Sequence, residues 1–177
     1  MNIFKYKNKL PVLGDDVFIG EGAVIIGDCS IGDDVSIWFN TVVRGDVARI
    51  SIGNCTNVQD NSTLHITDNI ELTIGESVTV GHGAILHSCK IGDFSLIGMG
   101  SVVLDNVCIG DFSLVAAGSL LPPGKKYGSR KLIRGNPGRE VRDLTDEEVE
   151  SLRQSAIHYV NRKNEYLDSS VVEKLSK

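Results

Sequence analysis

A six-residue repeat of aliphatic side chains constrains this sequence more than any other feature. Between residues 13 and 121 an Ile, Leu or Val returns at every sixth position, with short insertions after residues 43 and 64 and one unit of five residues. The period differs from the 3.6 of a helix and the 2 of a single strand, and it fits short strands joined by tight turns. The series is Leu13, Ile19, Ile25, Ile31, Ile37, Val43, Ile52, Val58, Leu64, Ile74, Val80, Leu86, Ile91, Ile97, Val103, Ile109, Val115 and Leu121.

The residues around each aliphatic position indicate how the units stack. Glycine often follows the aliphatic residue, and a small or β-branched residue such as Cys29, Val35 or Val47 comes four positions after it. Three units would close one triangular coil, and neighbouring coils would pair as parallel strands about 4.8 Å apart. The series therefore predicts a solenoid of six coils over residues 11–122. A sandwich of short strands is disfavoured because its strands hold no fixed six-residue register.

The repeat ends after Leu121, where Pro122-Pro123-Gly124 follows. Residues 124–143 are rich in glycine and predict an irregular return segment. We therefore expect a β-helix domain with its return segment over residues 1–143 and a helical extension over residues 144–177.

A helix is predicted in the C-terminal extension. Thr145 stands three residues before Glu148, which is the spacing of a capping box. Apolar residues at helical spacing continue to about Leu167, and the last ten residues fit either a longer helix or an irregular end.

Composition narrows the possible partners. The net charge of −5 disfavours binding to nucleic acid or to anionic membrane surfaces. The three lysines in residues 1–10 precede no apolar run, so a signal peptide is not expected. A cytoplasmic location, in bacteria, or an organelle matrix is favoured. The four widely spaced cysteines are expected to be reduced thiols.

The register of the repeat places two histidines side by side. Arg44, His65 and His87 each follow the core residue of the third unit, on successive coils. Two imidazoles about 4.8 Å apart could tilt toward one ion, since metal–nitrogen bonds measure about 2.0–2.1 Å. The insertions and the short unit all follow core residues of the third unit, in the same column of stacked positions as these three residues. Functional residues often lie on loops that project from a rigid scaffold.

His82 belongs to the second unit of its coil, with Asp60 directly below it. Most of one side of the triangle separates His82 from His87, so His82 should not reach an ion held by His65 and His87. His82 of an adjacent chain could reach that ion if the triangular solenoids of three chains packed around a three-fold axis. The register thus suggests a homotrimer with three metal sites between subunits, whereas a lone histidine beside a turn would be an ordinary surface residue.

Several of these segments together resemble the γ-class carbonic anhydrases, a hexapeptide-repeat family. They are Val43-Arg44-Gly45-Asp46, Asn57-Val58-Gln59-Asp60, Leu64-His65, Gly81-His82 and His87. The segments 97–100 and 116–118 fit the bacterial branch of the family. The resemblance implies a mainly β fold, a left-handed parallel β-helix of hexapeptide repeats with a C-terminal α-helix.

The resemblance also implies an activity, the reversible hydration of CO2 to bicarbonate by a zinc-bound hydroxide at a trimer interface. Zinc, with iron or cobalt as alternatives, would be bound by His65 and His87 of one subunit and His82 of its neighbour.

Further roles carry over by resemblance. Arg44 and Asp60 would form an ion pair across the interface, and Gln59 would hydrogen-bond the metal-bound water or CO2. Asn57 and Asp46 would shape the pocket. Tyr159 would reach the pocket from the C-terminal helix.

One departure from the family affects the expected activity. The archaeal type member has glutamates that move protons, one of them directly after the aspartate of the Arg-x-Asp motif. Here Val47 follows Asp46, and the loop 66–73 offers only Asp68 and Glu71. We therefore expect slow proton transfer, or a metal site without activity on CO2.

Two other functions are compatible with the repeat. One is an acyltransferase that uses an acyl-CoA donor and a histidine as general base. The other is a non-catalytic metal-binding trimer that acts as an assembly subunit.

Overall fold

Short parallel strands stack coil upon coil into two sheets that enclose an aliphatic core. The computed structural model describes residues 2–173, which form a mainly β parallel solenoid of about seven turns followed by a helix. The strands are β1 Asn2–Phe4, β2 Val12–Leu13, β3 Phe18–Ile19, β4 Val24–Ile31, β5 Ser36–Ile37, β6 Val42–Ile52, β7 Asn57–Val58, β8 Thr63–His65, β9 Leu72–Ile74, β10 Thr79–Val80, β11 Ile85–His87, β12 Lys90–Ile91, β13 Leu96–Ile97, β14 Val102–Val103, β15 Cys108–Ile109, β16 Leu114–Val115, β17 Leu120–Leu121, β18 Lys126–Tyr127, β19 Lys131–Gly135 and β20 Gly138–Asp143. The helix is α1 Asp146–Leu167.

Strand pairing follows the six-residue repeat and confirms the predicted solenoid. Ile25, Val43, Leu64, Leu86 and Val103 are Cα partners on successive coils. All five side chains are fully buried. Burial of each aliphatic side chain contributes roughly 1.5–3 kcal/mol, and the contribution recurs at every level of the stack.

The solenoid is longer at both ends than the aliphatic series predicts. β1 adds a strand before the first coil, with Ile3 paired to Ile25. At the other end Tyr127 and Ile133 continue the spacing of six, pair with Ile109 and Val115, and are buried.

The prediction of an irregular return over residues 124–143 is therefore wrong. A tyrosine occupies the position where the repeat calls for an aliphatic residue, and its hydroxyl donates to the Gly138 carbonyl at 3.0 Å. β20 then turns back antiparallel on β19 and ends the eight-stranded sheet.

One inward position was also assigned wrongly within the first insertion. Val47 was expected to fill the small-residue position four after Val43, but it is 49% exposed. The register shifts within the pairing of β4 with β6, so that Ile50 lies opposite Cys29 and is fully buried. The extra residues of β6 thus project outward at the place where Arg44 and Asp46 stand.

All four cysteines are free thiols, as expected. Cys29 and Cys89 are buried in the core, and burial raises the pKa of Cys29 to about 11. These two thiols pack as small apolar residues.

Helix α1 begins with the predicted capping box. The Glu148 amide donates to the Thr145 hydroxyl at 3.3 Å, and the Thr145 amide donates to the Glu148 carboxylate at 2.9 Å. The helix ends at Leu167 with Asp168 as its C-cap, and residues 168–173 do not continue it. The rest of the ambiguous C-terminal segment, residues 174–177, lies outside the described residues.

The helix packs along the solenoid through an apolar face and through one ion pair that involves a buried lysine. Val149 and Leu152 pack against Leu96 and Leu114 of the eight-stranded sheet. Lys163 is fully buried and its ammonium group lies 2.7 Å from the Asp34 carboxylate. Residues 2–173 contain no helix that is long and apolar enough to cross a membrane.

An aromatic cluster fills the contact between the C-terminal half of the helix and the first coils, with neighbouring ring centroids 5.1–6.2 Å apart. Its members are Phe18, Trp38, Phe39, Tyr159 and Tyr166.

Candidate metal centre

Two histidines face each other where β8 and β11 end. The register pairs Arg44 with His65 and His65 with His87, so the three side chains lie on successive coils. His65 Nδ1 and His87 Nε2 are 3.1 Å apart. Two nitrogens bound tetrahedrally to one ion at 2.0–2.1 Å would be separated by about 3.3 Å. The pair therefore fits two adjacent corners of a tetrahedral metal site.

Each of these imidazoles also contacts a carboxylate through its other nitrogen. His65 Nε2 donates to Asp46 Oδ1 at 3.2 Å, and His87 Nδ1 donates to Asp105 Oδ1. Because an ionised carboxylate only accepts, each contact leaves the lone pair of the remaining nitrogen directed at the other histidine. Two nitrogen lone pairs that point at each other repel, and a cation bound between them removes the repulsion. We call Asp46, His65, His87 and Asp105 the ligand row.

Local backbone geometry places the acidic end of the row. Gly45 separates Arg44 from Asp46, and a Cβ atom at Gly45 would lie 2.6 Å from the Asp28 carbonyl oxygen. Glycine is therefore needed for β6 to approach β4 this closely.

Charge around Asp46 favours its ionised form. Burial raises the pKa of Asp46, but hydrogen bonds from Arg44 and His65 outweigh it and lower the pKa below its ordinary value. The pKa of His65 is lowered, first by burial and then by repulsion from the Arg44 guanidinium. A neutral imidazole beside an ionised carboxylate is the state that a metal ligand requires.

His82 lies at a different corner of the triangle, after β10 of the eight-stranded sheet. Its Nδ1 is 2.7 Å from Asp60 Oδ2, and its side chain is 46% exposed. Asp60 thus contacts His82 within the chain, while Arg44 contacts Asp46. The Arg44–Asp60 pair expected between subunits stays a prediction. In the single chain, across residues 2–173, no three His, Cys, Asp or Glu side chains are grouped to hold a metal.

A buried hydrogen-bond network supports this second corner. Gln59 accepts from the His82 amide at 3.2 Å through Oε1 and donates to Asn57 Oδ1 at 3.2 Å through Nε2. Asn57 Nδ2 donates to Thr79 Oγ1 at 2.9 Å, and Thr79 contacts the Ser155 hydroxyl of the helix at 3.0 Å.

Tyr159 lies beside the same corner. It lines, with His82 and Asp60, a cleft of about 350 Å³ between the helix and the solenoid. Burial and the charge of Asp60 raise the pKa of Tyr159. We call Asn57, Gln59, Asp60, His82 and Tyr159 the facing corner.

Sequence reasoning named nearly all of these residues but missed Asp105, Thr79 and Ser155. The sequence did contain a signal for Asp105. Leu104 occupies the position of His87 on the next coil, and Asp105 directly follows it. Thr79 and Ser155 meet only because the helix packs on β10, which no local pattern encodes.

Comparisons with known proteins agree with the motifs. Residues 11–45 and 88–123 match the family described as bacterial transferase hexapeptide (six repeats). The chain is 51% identical to Protein YrdA of Escherichia coli K12 over 92% of each chain. It is 46% identical to a carbonic anhydrase of Geobacillus kaustophilus, over 93% of this chain and 90% of that one.

This chain belongs to the γ-class carbonic anhydrase-like family of hexapeptide-repeat proteins. These relatives support a carbonic anhydrase-like function and imply a metal, typically zinc or iron. A solved structure entitled hexapeptide transferase family protein, from Anaplasma phagocytophilum, superposes with a TM-score of 0.90 at 41% identity, over 93% of this chain and 98% of that one.

Proposed function

We propose that the protein is a metal-dependent carbonic anhydrase that interconverts CO2 and bicarbonate in the cytoplasm as a homotrimer. His65 and His87 of one subunit and His82 of the next would hold zinc, or iron or cobalt in its place. The observation that carries the proposal is the 3.1 Å approach of His65 Nδ1 to His87 Nε2, with both outer nitrogens on carboxylates. When bound, such an ion supplies a water acidified to a pKa of about 7.

The chain's own residues would prepare both halves of the site. Asp46 and Asp60 orient the rings of His65 and His82, as carboxylates commonly do for metal-binding imidazoles. Arg44 neutralises Asp46 and has no substrate contact of its own in this arrangement.

Gln59 is fixed by two hydrogen bonds, one through each end of its amide. The second N–H of that amide remains to donate to an oxygen of CO2 or of water. Because the group is uncharged, it orients the substrate without weakening the positive charge that three neutral ligands preserve.

Complementation between two inactive variants tests the shared site. His82→Ala keeps the ligand row, and His65→Ala keeps the facing corner. Each variant alone should bind little metal and should not hydrate CO2. Refolding or co-expressing the two together should restore a fraction of complete sites, measured by metal analysis and stopped-flow CO2 hydration.

Gln154→Ala is the control, since Gln154 is exposed on the helix and does not line the cleft beside His82. It should bind metal and hydrate CO2 like the unmodified protein. A His82→Ala monomer that holds zinc as tightly as the parent would refute a site shared between subunits. Metal-loaded parent protein without hydration above buffer would refute the activity.

Acyl transfer is a second candidate, favoured by the transferase name of the structural relative and by one contact. The 2.7 Å approach of Asp60 to His82 Nδ1 would orient Nε2 as a general base. Acetyl-CoA binding by calorimetry, weakened in His82→Ala, would support this reading, and absence of binding would remove it.

A further inference from the structure

Asp105 ends the ligand row, one coil beyond His87. Its carboxylate accepts from His87 Nδ1, while His87 Nε2 faces His65 Nδ1 at 3.1 Å. Both partners are partly exposed, with 28% of the His87 side chain and 35% of the Asp105 side chain accessible. Neither the repeat nor the motifs that resemble the family include this aspartate.

Other aspartates at turns of the solenoid cap backbone amides and do not contact a histidine. Three of them, Asp33, Asp93 and Asp111, each follow an Ile-Gly pair. The Oδ1 atom of each accepts a hydrogen bond from a backbone amide of the preceding coil. Asp105 follows Val103-Leu104 instead, and the contact of its carboxylate is the imidazole. Its role is therefore not the turn-capping role that explains the others.

The backbone around Asp105 is fixed relative to both histidines. The Gly124 amide donates to the Asp105 carbonyl at 2.8 Å, and the Asn106 amide donates to the Ser88 carbonyl at 2.8 Å. The Ser88 amide in turn donates to the His65 carbonyl at 3.1 Å. These bonds connect the coils of Asp105, His87 and His65, so the backbone that carries the Asp105 side chain is held beside His87.

We infer that Asp105 is a positioning residue of the candidate metal centre, which selects Nε2 of His87 as its ligand atom. The inference rests on the proposed metal site and assigns Asp105 a role there that the proposed function leaves undefined. A carboxylate that accepts from Nδ1–H fixes the tautomer and the ring orientation, and it increases the basicity of Nε2. Without it, His87 could carry its proton on Nε2 and close the position to a metal.

The test compares Asp105→Asn and Asp105→Ala with Asp93→Asn, a change at an aspartate in another unit of the same coil whose carboxylate accepts from a backbone amide. Zinc affinity is measured by competition with a chromophoric chelator, and the cobalt form is followed by visible absorption. Removal of such partners weakens metal binding roughly 10- to 100-fold, so we expect that loss in both Asp105 variants and a change in the cobalt spectrum. Asp93→Asn should retain parental affinity, and Asp105→Glu should recover part of it.

A second readout separates this inference from the proposed function. Nitrogen-15 NMR of the metal-free protein reports which nitrogen of His87 carries hydrogen. We expect Nδ1–H in the parent and a mixture of tautomers in Asp105→Ala. If the parent binds no metal, the proposed function fails while the tautomer result still decides the role of Asp105. Unchanged zinc affinity together with an unchanged His87 tautomer in Asp105→Ala overturns the inference.

Discussion

In the ligand row, His65 and His87 lie where the six-residue spacing is interrupted, whereas in the facing corner Asn57 and Gln59 lie in six-residue units that keep it. The interruptions let side chains project beside the stack and remain partly exposed. The regular units instead bury Asn57 and Gln59, which are 0% and 6% exposed. A buried polar side chain is stable only when its partners are present. Mutations in the ligand row should therefore act through metal binding, whereas mutations of the buried amides Asn57 and Gln59 should act through folding and substrate orientation.

The largest effect should follow from breaking the ligand row. His87→Ala removes a ligand, so zinc affinity should fall by more than the roughly 100-fold that marks the loss of a supporting residue. The His87 side chain is partly exposed and lies outside the aliphatic core, so the thermal midpoint of the metal-free protein should change little. Chelator competition and circular dichroism measure the two quantities. Parental affinity in this variant would exclude His87 as a ligand.

Breaking the facing corner should instead destabilise the fold. Asn57→Ala removes the acceptor of the Gln59 amide and the donor to Thr79. Buried groups left without partners cost about 1–3 kcal/mol, which urea unfolding of the metal-free protein would detect. Metal stoichiometry should not change. Gln154→Ala, on the exposed face of the helix, is the control. A metal-deficient but fully stable Asn57→Ala protein would contradict the distinction between the halves.

A smaller effect is expected from Gln59→Ala. The substitution removes one orienting hydrogen bond, worth about 0.5–1.5 kcal/mol, so kcat/KM for CO2 hydration should fall roughly 2- to 10-fold. Zinc affinity should remain close to that of the parent, because Gln59 is not a ligand. Stopped-flow assays on metal-loaded protein measure the change. Equal kcat/KM in parent and variant would show that Gln59 does not orient the substrate.

The smallest effect concerns the cap of the helix that carries Ser155 and Tyr159. Hydrogen bonds from Arg142 and then from the Thr145 amide lower the pKa of Glu148 from 4.5 to about 2. A pKa lowered in the folded state adds stability above the ordinary pKa, and this stability is lost as pH falls from 4.5 toward 2.

Melting curves of Glu148→Gln and the parent should thus differ most above pH 5 and converge near pH 2. If the two proteins differ equally at every pH, the carboxylate is not the group that stabilises the cap. The same variant should keep parental zinc affinity at neutral pH, since the cap is remote from the ligand row.

The fold was accessible from the sequence because the core residues repeat at a fixed spacing that only stacked short strands satisfy. The repeat even predicts that His65 lies beside His87, since both follow a core residue of the same column. Tyr127 was missed because an aromatic ring replaces the aliphatic side chain, and Val47 was misplaced because spacing alone cannot locate a bulge within an insertion.

The candidate site was predictable in residue types but not in its contacts. The pairing of His82 with Asp60 follows from the register, yet the Asp105 contact depends on how a turn directs one side chain toward the neighbouring coil. The Thr79–Ser155 contact depends on helix docking over a sequence separation of 76 residues. Contacts of this kind arise from tertiary packing and leave no periodic signal.

The antiparallel hairpin of β19 and β20 has a consequence for the behaviour of the protein at high concentration. A parallel solenoid ends in a row of open backbone donors and acceptors, onto which another chain can add and from which fibres can grow. Here the last strand of the eight-stranded sheet reverses direction, and it brings Arg134 opposite Arg139 beside the tip. Two like charges on an edge strand disfavour the addition of another copy, so we expect the hairpin to hinder filament growth at this edge of the sheet.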